Sequence, residues 1–254
     1  DADDVRARIR AVRDALGGRV QVYYAVKANP NLELLKAVRS IADGLDISSG
    51  GELEQAMLAG FEGSALSFAG PAKTDAELAE SIHRGVGHIS VESLRELNAC
   101  VAAARATGHR ACITLRVNPQ RLNRAFGMKM GGRATQFGND EESLGDILPV
   151  VAAHADVLDF QGIHVYAGSQ CFDAAGLAEG VADTLAAVRA IESESPLYCA
   201  AINFGGGFGL SHVDIDKELG LAALGEAVRP LLDAFVAEST RPRKLIFELG
   251  RYLT

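Results

Sequence analysis

The sequence of 254 residues predicts an α/β protein, a (β/α)8 TIM barrel. Three observations carry that prediction. Short apolar runs alternate with stretches of helical periodicity along the whole chain, and no strong hairpin signal comes between them. The alternation repeats eight times, which favours a closed parallel barrel over an open doubly wound sheet. Barrels of this kind commonly run to roughly 250 residues as one domain, so 1–254 is read as one domain.

The chain opens on an amphipathic helix over 4–16, where Val5, Ile9, Val12 and Leu16 recur at helical spacing among arginines. The first strand follows in Val22-Tyr23-Tyr24-Ala25-Val26, ends on Lys27 and breaks at Asn29-Pro30. Alternation along a strand puts Tyr23, Ala25 and Lys27 on one face. Pro30 stands where a helix can begin, and Leu32, Leu35, Val38 and Ile41 continue at the helical period. The second strand, Gly44–Ser48, carries Asp46 and Ser48 on one face and closes at Ser49-Gly50-Gly51, ahead of a helix from Glu52. Ala65–Phe68 is the third strand, followed by a helix that Thr74 caps with Glu77 three residues on. His88–Val91 is the fourth, followed by a helix from Glu92 to about Thr107. In the fifth, Ala111–Val117, residues Ile113, Leu115 and Val117 oppose Cys112, Thr114 and Arg116.

A polar, glycine-bearing segment from Asn118 to Asp140 then breaks the rhythm, and long loops inside compact domains are usually functional. A helix near 141–153 restores it. The sixth strand, Val157–Tyr166, sets Phe160, Gly162, His164 and Tyr166 on one face and runs into Ala167-Gly168-Ser169-Gln170 and a helix over 173–192. The seventh, Ala200–Asn203, enters Phe204-Gly205-Gly206-Gly207-Phe208-Gly209 before a helix near 221–238. The eighth, Lys244–Glu248, ends in Leu249-Gly250-Arg251-Tyr252.

Composition narrows the function classes. Hydrophobic residues make up 48% and charged residues 23%, which excludes disordered and collagen-like chains. A formal charge of −8 without basic blocks argues against nucleic acid or an anionic membrane as partner. Cys100, Cys112, Cys171 and Cys199 are scattered, with no spacing suited to zinc, so no metal is expected and they read as reduced core thiols of a cytoplasmic protein. No apolar run reaches the ~18 residues of a membrane span, and no leader-like segment opens the chain. A start at Asp1 and an abrupt stop at Thr254 suggest a piece of a longer protein.

Barrels place functional residues at the C-terminal ends of their strands. Lys27, Asp46, Arg116, His164, Tyr166, Gly205 to Gly207, Glu248 and Arg251 all fall there. Glycines after the seventh strand let backbone N–H groups close on an anion, and Gly250-Arg251 completes a phosphate site after the eighth. The run is not a dinucleotide fingerprint, because Leu210 stands where a third glycine would be needed. Lys27, held against apolar neighbours, would have its pKa lowered and become a nucleophilic amine able to form a Schiff base. A phosphate site, such a lysine and a carboxylate, Glu248, to keep a pyridinium nitrogen protonated together suggest pyridoxal 5′-phosphate. His164 and Tyr166 could each stack on a flat ring. Arg116 and Asp46 would orient those groups.

Tyr24-Ala25-Val26-Lys27-Ala28-Asn29, Asp46-Ile47-Ser48-Ser49-Gly50-Gly51-Glu52, Gly168-Ser169-Gln170, Gly205-Gly206-Gly207-Phe208 and Glu248-Leu249-Gly250-Arg251 resemble the alanine-racemase-fold decarboxylases, the ornithine and diaminopimelate decarboxylase family. The resemblance covers nearly the whole chain. It implies that Lys27 holds the cofactor as a Schiff base and that Glu248 pairs with the pyridinium nitrogen. Ser169, Gly205, Gly206, Gly207 and Gly250 would hold the phosphate, and Arg251 would serve the phosphate or a substrate carboxylate. Many relatives carry their ring-stacking histidine where Tyr166 stands here, so Tyr166 is the first choice for that role and His164 the alternative. Phe68-Ala69-Gly70-Pro71-Ala72-Lys73-Thr74 and Gly127-Met128-Lys129-Met130-Gly131-Gly132 with Gln136-Phe137-Gly138 look closest to a branch that decarboxylates glutamate bound to an acyl carrier protein, together with the exosortase-associated decarboxylases.

The family also implies a homodimer with a C-terminal β-domain that supplies a cysteine and an aromatic residue across the interface, and none of the four cysteines here matches that motif. The activity expected is decarboxylation of an amino acid, either free and similar to diaminopimelate or ornithine, or bound to a carrier protein. The rivals are a racemase of the same fold, which usually pairs the ring nitrogen with arginine, and a non-catalytic relative that binds decarboxylase subunits.

Overall fold

The computed structural model describes residues 1–119, 125–129, 136–211 and 218–254. In chain order its elements are α1 (Ala2–Ala15), β1 (Gln21–Ala25), α2 (Leu32–Val38), β2 (Gly44–Ile47), α3 (Gly50–Leu58), β3 (Leu66–Phe68), α4 (Asp75–His83), β4 (His88–Val91), α5 (Leu94–Thr107), β5 (Ala111–Asn118), β6 (Phe126–Lys129), β7 (Asn139–Asp140), α6 (Leu144–Ala153), β8 (Leu158–Val165), β9 (Gly168–Cys171), α7 (Ala174–Glu194), β10 (Ala201–Asn203), α8 (Leu221–Ala237) and β11 (Lys244–Leu249).

Eight of these strands close a parallel barrel in the order β1-β2-β3-β4-β5-β8-β10-β11, with β11 back beside β1. Its outward faces and the helices enclose the main apolar core, including Val22, Tyr24, Leu45, Ile47, Leu66, Phe68, Ile89, Val91, Ile113 and Leu115. The helix preceding the barrel completes the outer ring. Its Arg6 donates to the Ala37 carbonyl at 3.0 Å beside α2, and on its other flank Gly225 of α8 lies so close that a Cβ there would stand 2.3 Å from the Ala15 carbonyl oxygen.

The lumen is filled by inward side chains. Tyr23, Ala201 and Ile246 form a small apolar floor, and Tyr23 fits because Gly44 opposite it has no side chain: a Cβ would meet the Tyr23 ring at 2.6 Å. Above the floor the inward layer is polar, with Asp46, Ser67, Ser90, Arg116, His164, Asn203 and Glu248, all buried. That layer is the floor of the barrel mouth.

Local chemistry sets most of the boundaries. Thr74 accepts from the Glu77 N–H while Glu77 accepts from the Thr74 N–H, the capping box expected for α4. Two helix starts differ from expectation. Asn31, not Pro30, caps α2, since its side chain accepts from the N–H groups of Glu33 and Leu34. Ser93 caps α5, which frees Glu92 to turn inward. The expected absence of hairpin pairing also fails, because β6 and β9 pair antiparallel, Phe126 opposite Cys171. Polar loop sequence hid both partners from a periodicity test. Of the loop residues singled out above, Met130, Gly131 and Gly132 lie outside the described residues.

Gly162 adopts φ +144° with the Ala201 carbonyl oxygen 2.0 Å from where a Cβ would sit. Gly162→Ala should therefore cost about 2–3 kcal/mol through backbone strain and overpacking, readable as a lowered denaturation midpoint.

Candidate active site

β1 ends one turn before Lys27. The chain coils through a 3-10 turn, Val26–Ala28, so strand alternation does not extend to the lysine. The turn nevertheless delivers Lys27 to the mouth, where Nζ lies 2.8 Å from Oδ2 of Asp46 on the neighbouring β2. Tyr24 staples the break behind it by donating its hydroxyl to the Asn29 carbonyl at 3.0 Å. The ammonium stands in open cavity space, its side chain 58% exposed, whereas Asp46 is buried.

The expected lowering of the Lys27 pKa does not hold. Asp46 holds it above the ordinary lysine range, outweighing desolvation, and Glu248 adds to the effect. Asp46 moves too, pushed up to about 6 by burial and by the charge of Glu248, with Lys27 opposing. Its Oδ1 has no hydrogen-bond partner.

Glu248, at the end of β11, is buried with its Oε1 accepting from Ser67 Oγ at 2.7 Å and Asn203 Nδ2 at 2.5 Å. Asn203 also accepts from the Gly205 N–H at 2.9 Å, which ties the carboxylate to the glycine run. His164 Nε2 lies 3.3 Å from Glu248 Oε2, off the direction a hydrogen bond requires, while Nδ1 is 2.8 Å from Ser90 Oγ. Burial, reinforced by the charge of Arg116, lowers the His164 pKa to about 3 and keeps the ring neutral.

Two lobes meet over these groups. The first, about 700 Å³, is lined by Lys27, Asp46, Tyr166, Ser169, Gly207, Glu248, Gly250 and Arg251. Arg251 is exposed into it. The second, about 510 Å³, is bordered by Lys27, Ser48, Ser49, Gly70, Arg116, Phe137, His164, Tyr166 and Glu248. Tyr166 thus borders both, His164 the second alone. Arg116 is committed to Glu92, 2.8 Å from Nη1 to Oε1, and lies over the Phe137 and Tyr166 rings, 4.9 and 5.9 Å from their centroids.

The glycines divide by task. Gly205 and Gly206 do not line either lobe; a Cβ on Gly206 would fall 2.0 Å from the Glu248 carbonyl oxygen, and one on Gly205 would strike Tyr166. They allow close packing beneath the site, while Gly207 lines it. Ser67, Ser90, Asn203 and Glu92 were not singled out from the sequence. Their signal was present in part, since Ser67, Ser90 and Asn203 are polar residues near the C-terminal ends of otherwise apolar strands. Gln170 escaped as well: its side chain donates to the Leu210 carbonyl and accepts from the Leu210 N–H, both at 3.1 Å, docking β9 onto the segment after the glycines.

Residues 2–254 match the family model described as pyridoxal-dependent decarboxylase, pyridoxal binding domain. The chain belongs to that family. Among similar proteins, L-glutamyl-[BtrI acyl-carrier protein] decarboxylase of Niallia circulans is 33% identical over 100% of this chain and 59% of its own length. A diaminopimelate decarboxylase of Neisseria meningitidis is 34% identical over 91% of this chain and 55% of its own. In fold, the diaminopimelate decarboxylase of Helicobacter pylori, complexed with L-lysine, superposes at a TM-score of 0.88 and 24% identity, covering 100% of this chain and 62% of that one. The chain therefore spans between 55% and 62% of the length of these relatives.

The residues fit the family's cofactor, pyridoxal 5′-phosphate. An amine stands between a buried carboxylate, Glu248, and a lobe holding a hydroxyl, an exposed guanidinium and two glycines. Gly207 sits where a Cβ would fall 2.3 Å from the Gly168 carbonyl oxygen, and the buried Asp46 Oδ1 is unpartnered.

The buried histidines make a measurable prediction. His88 in the lumen is lowered to about 4, chiefly by burial, and neither ring nitrogen has a partner. Between pH 6.5 and about 4 the unfolded chain binds protons at His88 and His164 that the folded state does not, so stability falls on acidification. Asp46 partly offsets this, because its raised folded value lets the native state bind a proton first. Thermal melts should drop across that window, and His88→Phe should flatten the slope.

Proposed function

We propose that this barrel is the cofactor-holding part of a pyridoxal-phosphate-dependent amino-acid decarboxylase, a carboxy-lyase. The observation that carries the reading is the buried Glu248 carboxylate facing Lys27 across the mouth and held by Ser67 and Asn203. An acid in that place favours decarboxylation over racemisation, for which an arginine would weaken the electron sink.

When bound, pyridoxal 5′-phosphate supplies an electron sink for the carbanion left as carbon dioxide departs. Lys27 presents the amine that joins the cofactor carbonyl. To do so it must shed a proton, and Asp46 Oδ2, 2.8 Å away, accepts it. Glu248 holds the proton of the ring nitrogen at a carboxylate oxygen. Ser169, Gly207, Gly250 and Arg251 hold the phosphate, with Gly205 and Gly206 allowing the loop to approach. Tyr166 lies along the ring face, and Arg116 positions Tyr166. His164 stays neutral beneath, beside Glu248.

The substrate is an amino acid, free or carried by an acyl carrier protein, the latter supported by the Niallia circulans relative. The greater length of the relatives supports a further domain in the whole protein and a homodimer with the site at the interface. Four free cysteines support a reducing, cytoplasmic setting, and no helix among the described residues is long and apolar enough to cross a membrane.

Full-length protein given pyridoxal 5′-phosphate should gain a visible absorbance band that Lys27→Ala removes. It should release carbon dioxide from one of diaminopimelate, ornithine, lysine or glutamate, supplied free and carrier-bound. Enantiomer exchange without carbon dioxide would reject the reading. Glu248→Gln should retain the cofactor yet lower kcat by about a hundredfold or more. Asp46→Asn should slow growth of the absorbance band in apoprotein by about tenfold, followed by stopped-flow mixing with the cofactor.

A further inference from the structure

The segment Phe68-Ala69-Gly70-Pro71-Ala72-Lys73-Thr74 has no part in the chemistry above, yet it walls the second lobe through Ala69, Gly70, Pro71 and Ala72. Behind that wall lies a row of four buried charges. Lys73, its side chain 1% exposed, is 2.8 Å from Glu96 Oε1 and donates to the Gly70 carbonyl at 2.6 Å. Glu96 Oε2 accepts from the Glu92 N–H at 2.6 Å, fixing the backbone that carries the next carboxylate. Glu92 Oε1 accepts from the Gly70 N–H at 2.6 Å and from Arg116 at 2.8 Å, and its Oε2 accepts from the Gly138 N–H at 3.2 Å.

Gly70 is therefore gripped at both ends of its backbone, in a conformation, φ +134°, that L side chains rarely adopt. One carboxylate, Glu92, ties the 69–73 wall, the Gly138 backbone and Arg116, whose guanidinium supports Phe137 and Tyr166. Burying four charges is a poor way to gain stability, since apolar side chains of similar volume serve as well or better. Such a row suits geometry: a wall held by charge-assisted hydrogen bonds has one shape before a substrate arrives.

We propose that the row Lys73–Glu96–Glu92–Arg116 sets the shape of the substrate lobe, and that Lys73 is the positioning residue that locks its wall. The proposal rests on the decarboxylase reading in so far as the second lobe takes the substrate; the lock itself is a property of the protein alone.

The test compares Lys73→Met with Lys73→Met/Glu96→Met in full-length protein. Lys73→Met leaves Glu96 buried without its partner and should lower the thermal midpoint; the double variant removes both charges and should recover it. In both, amide exchange over 69–73 should rise by about tenfold or more. KM for the best substrate should rise by about tenfold while kcat changes by less than about threefold, and pyridoxal 5′-phosphate affinity should stay within about twofold. Recovery of exchange protection and KM together with the midpoint in the double variant would reduce the row to a stability element and overturn the proposal. Should Lys73→Met fail to fold, the double variant decides alone. If wild-type protein decarboxylates none of the amino acids tried, the function falls while amide exchange still decides the lock.

Discussion

A carboxylate buried at the mouth of a barrel must be surrounded by donors, and Glu248 shows what that requirement asks of the chain. Its Oε1 takes one hydrogen bond from Ser67 on β3 and one from Asn203 on β10, strands separated by β1, β2 and Glu248's own β11. Only a closed sheet brings those strands to a common centre. The same carboxylate raises Asp46, and with Asp46 it holds the Lys27 ammonium protonated. The charge state of the site therefore follows from where one acid is buried.

Charge is balanced locally around that centre. Lys27 faces Asp46, Arg116 faces Glu92 and Lys73 faces Glu96, each at 2.8 Å. The pairs differ in accessibility. Lys27 stands in the cavity and can exchange partners, whereas the other two are walled in and can do little but hold their places. Neutral His164 completes the layer without adding a charge, because burial and Arg116 both oppose its protonation.

The barrel was legible because its signals are local: apolar runs, helical periods and caps such as Thr74 with Glu77 survive without any tertiary knowledge. The ring of candidate residues was legible for a related reason, since strand ends can be located before strands are packed. Ser67, Asn203, Ser90 and Glu92 were not, because a lone serine or asparagine at a strand end has no distinguishing pattern until its partner strand is known. The β6–β9 pairing failed for lack of apolar alternation, and Gly205 and Gly206 proved to be packing glycines, as backbone contacts are invisible to residue type.

Sequence alone determined which residues stand at the ends of parallel strands, hence which amine, acid and glycines share a mouth, because strand periodicity and parallel connection leave little choice of placement. Tertiary structure decided the electrostatics. The apolar neighbours of Lys27 in the chain pointed to a depressed pKa, while Asp46, remote in sequence and adjacent in space, imposes the opposite shift. It also decided that Arg116 is spoken for by Glu92 and that Lys73 is buried beneath the wall it holds. Coulomb energies depend on distance and burial, and both are set only when the strands have closed.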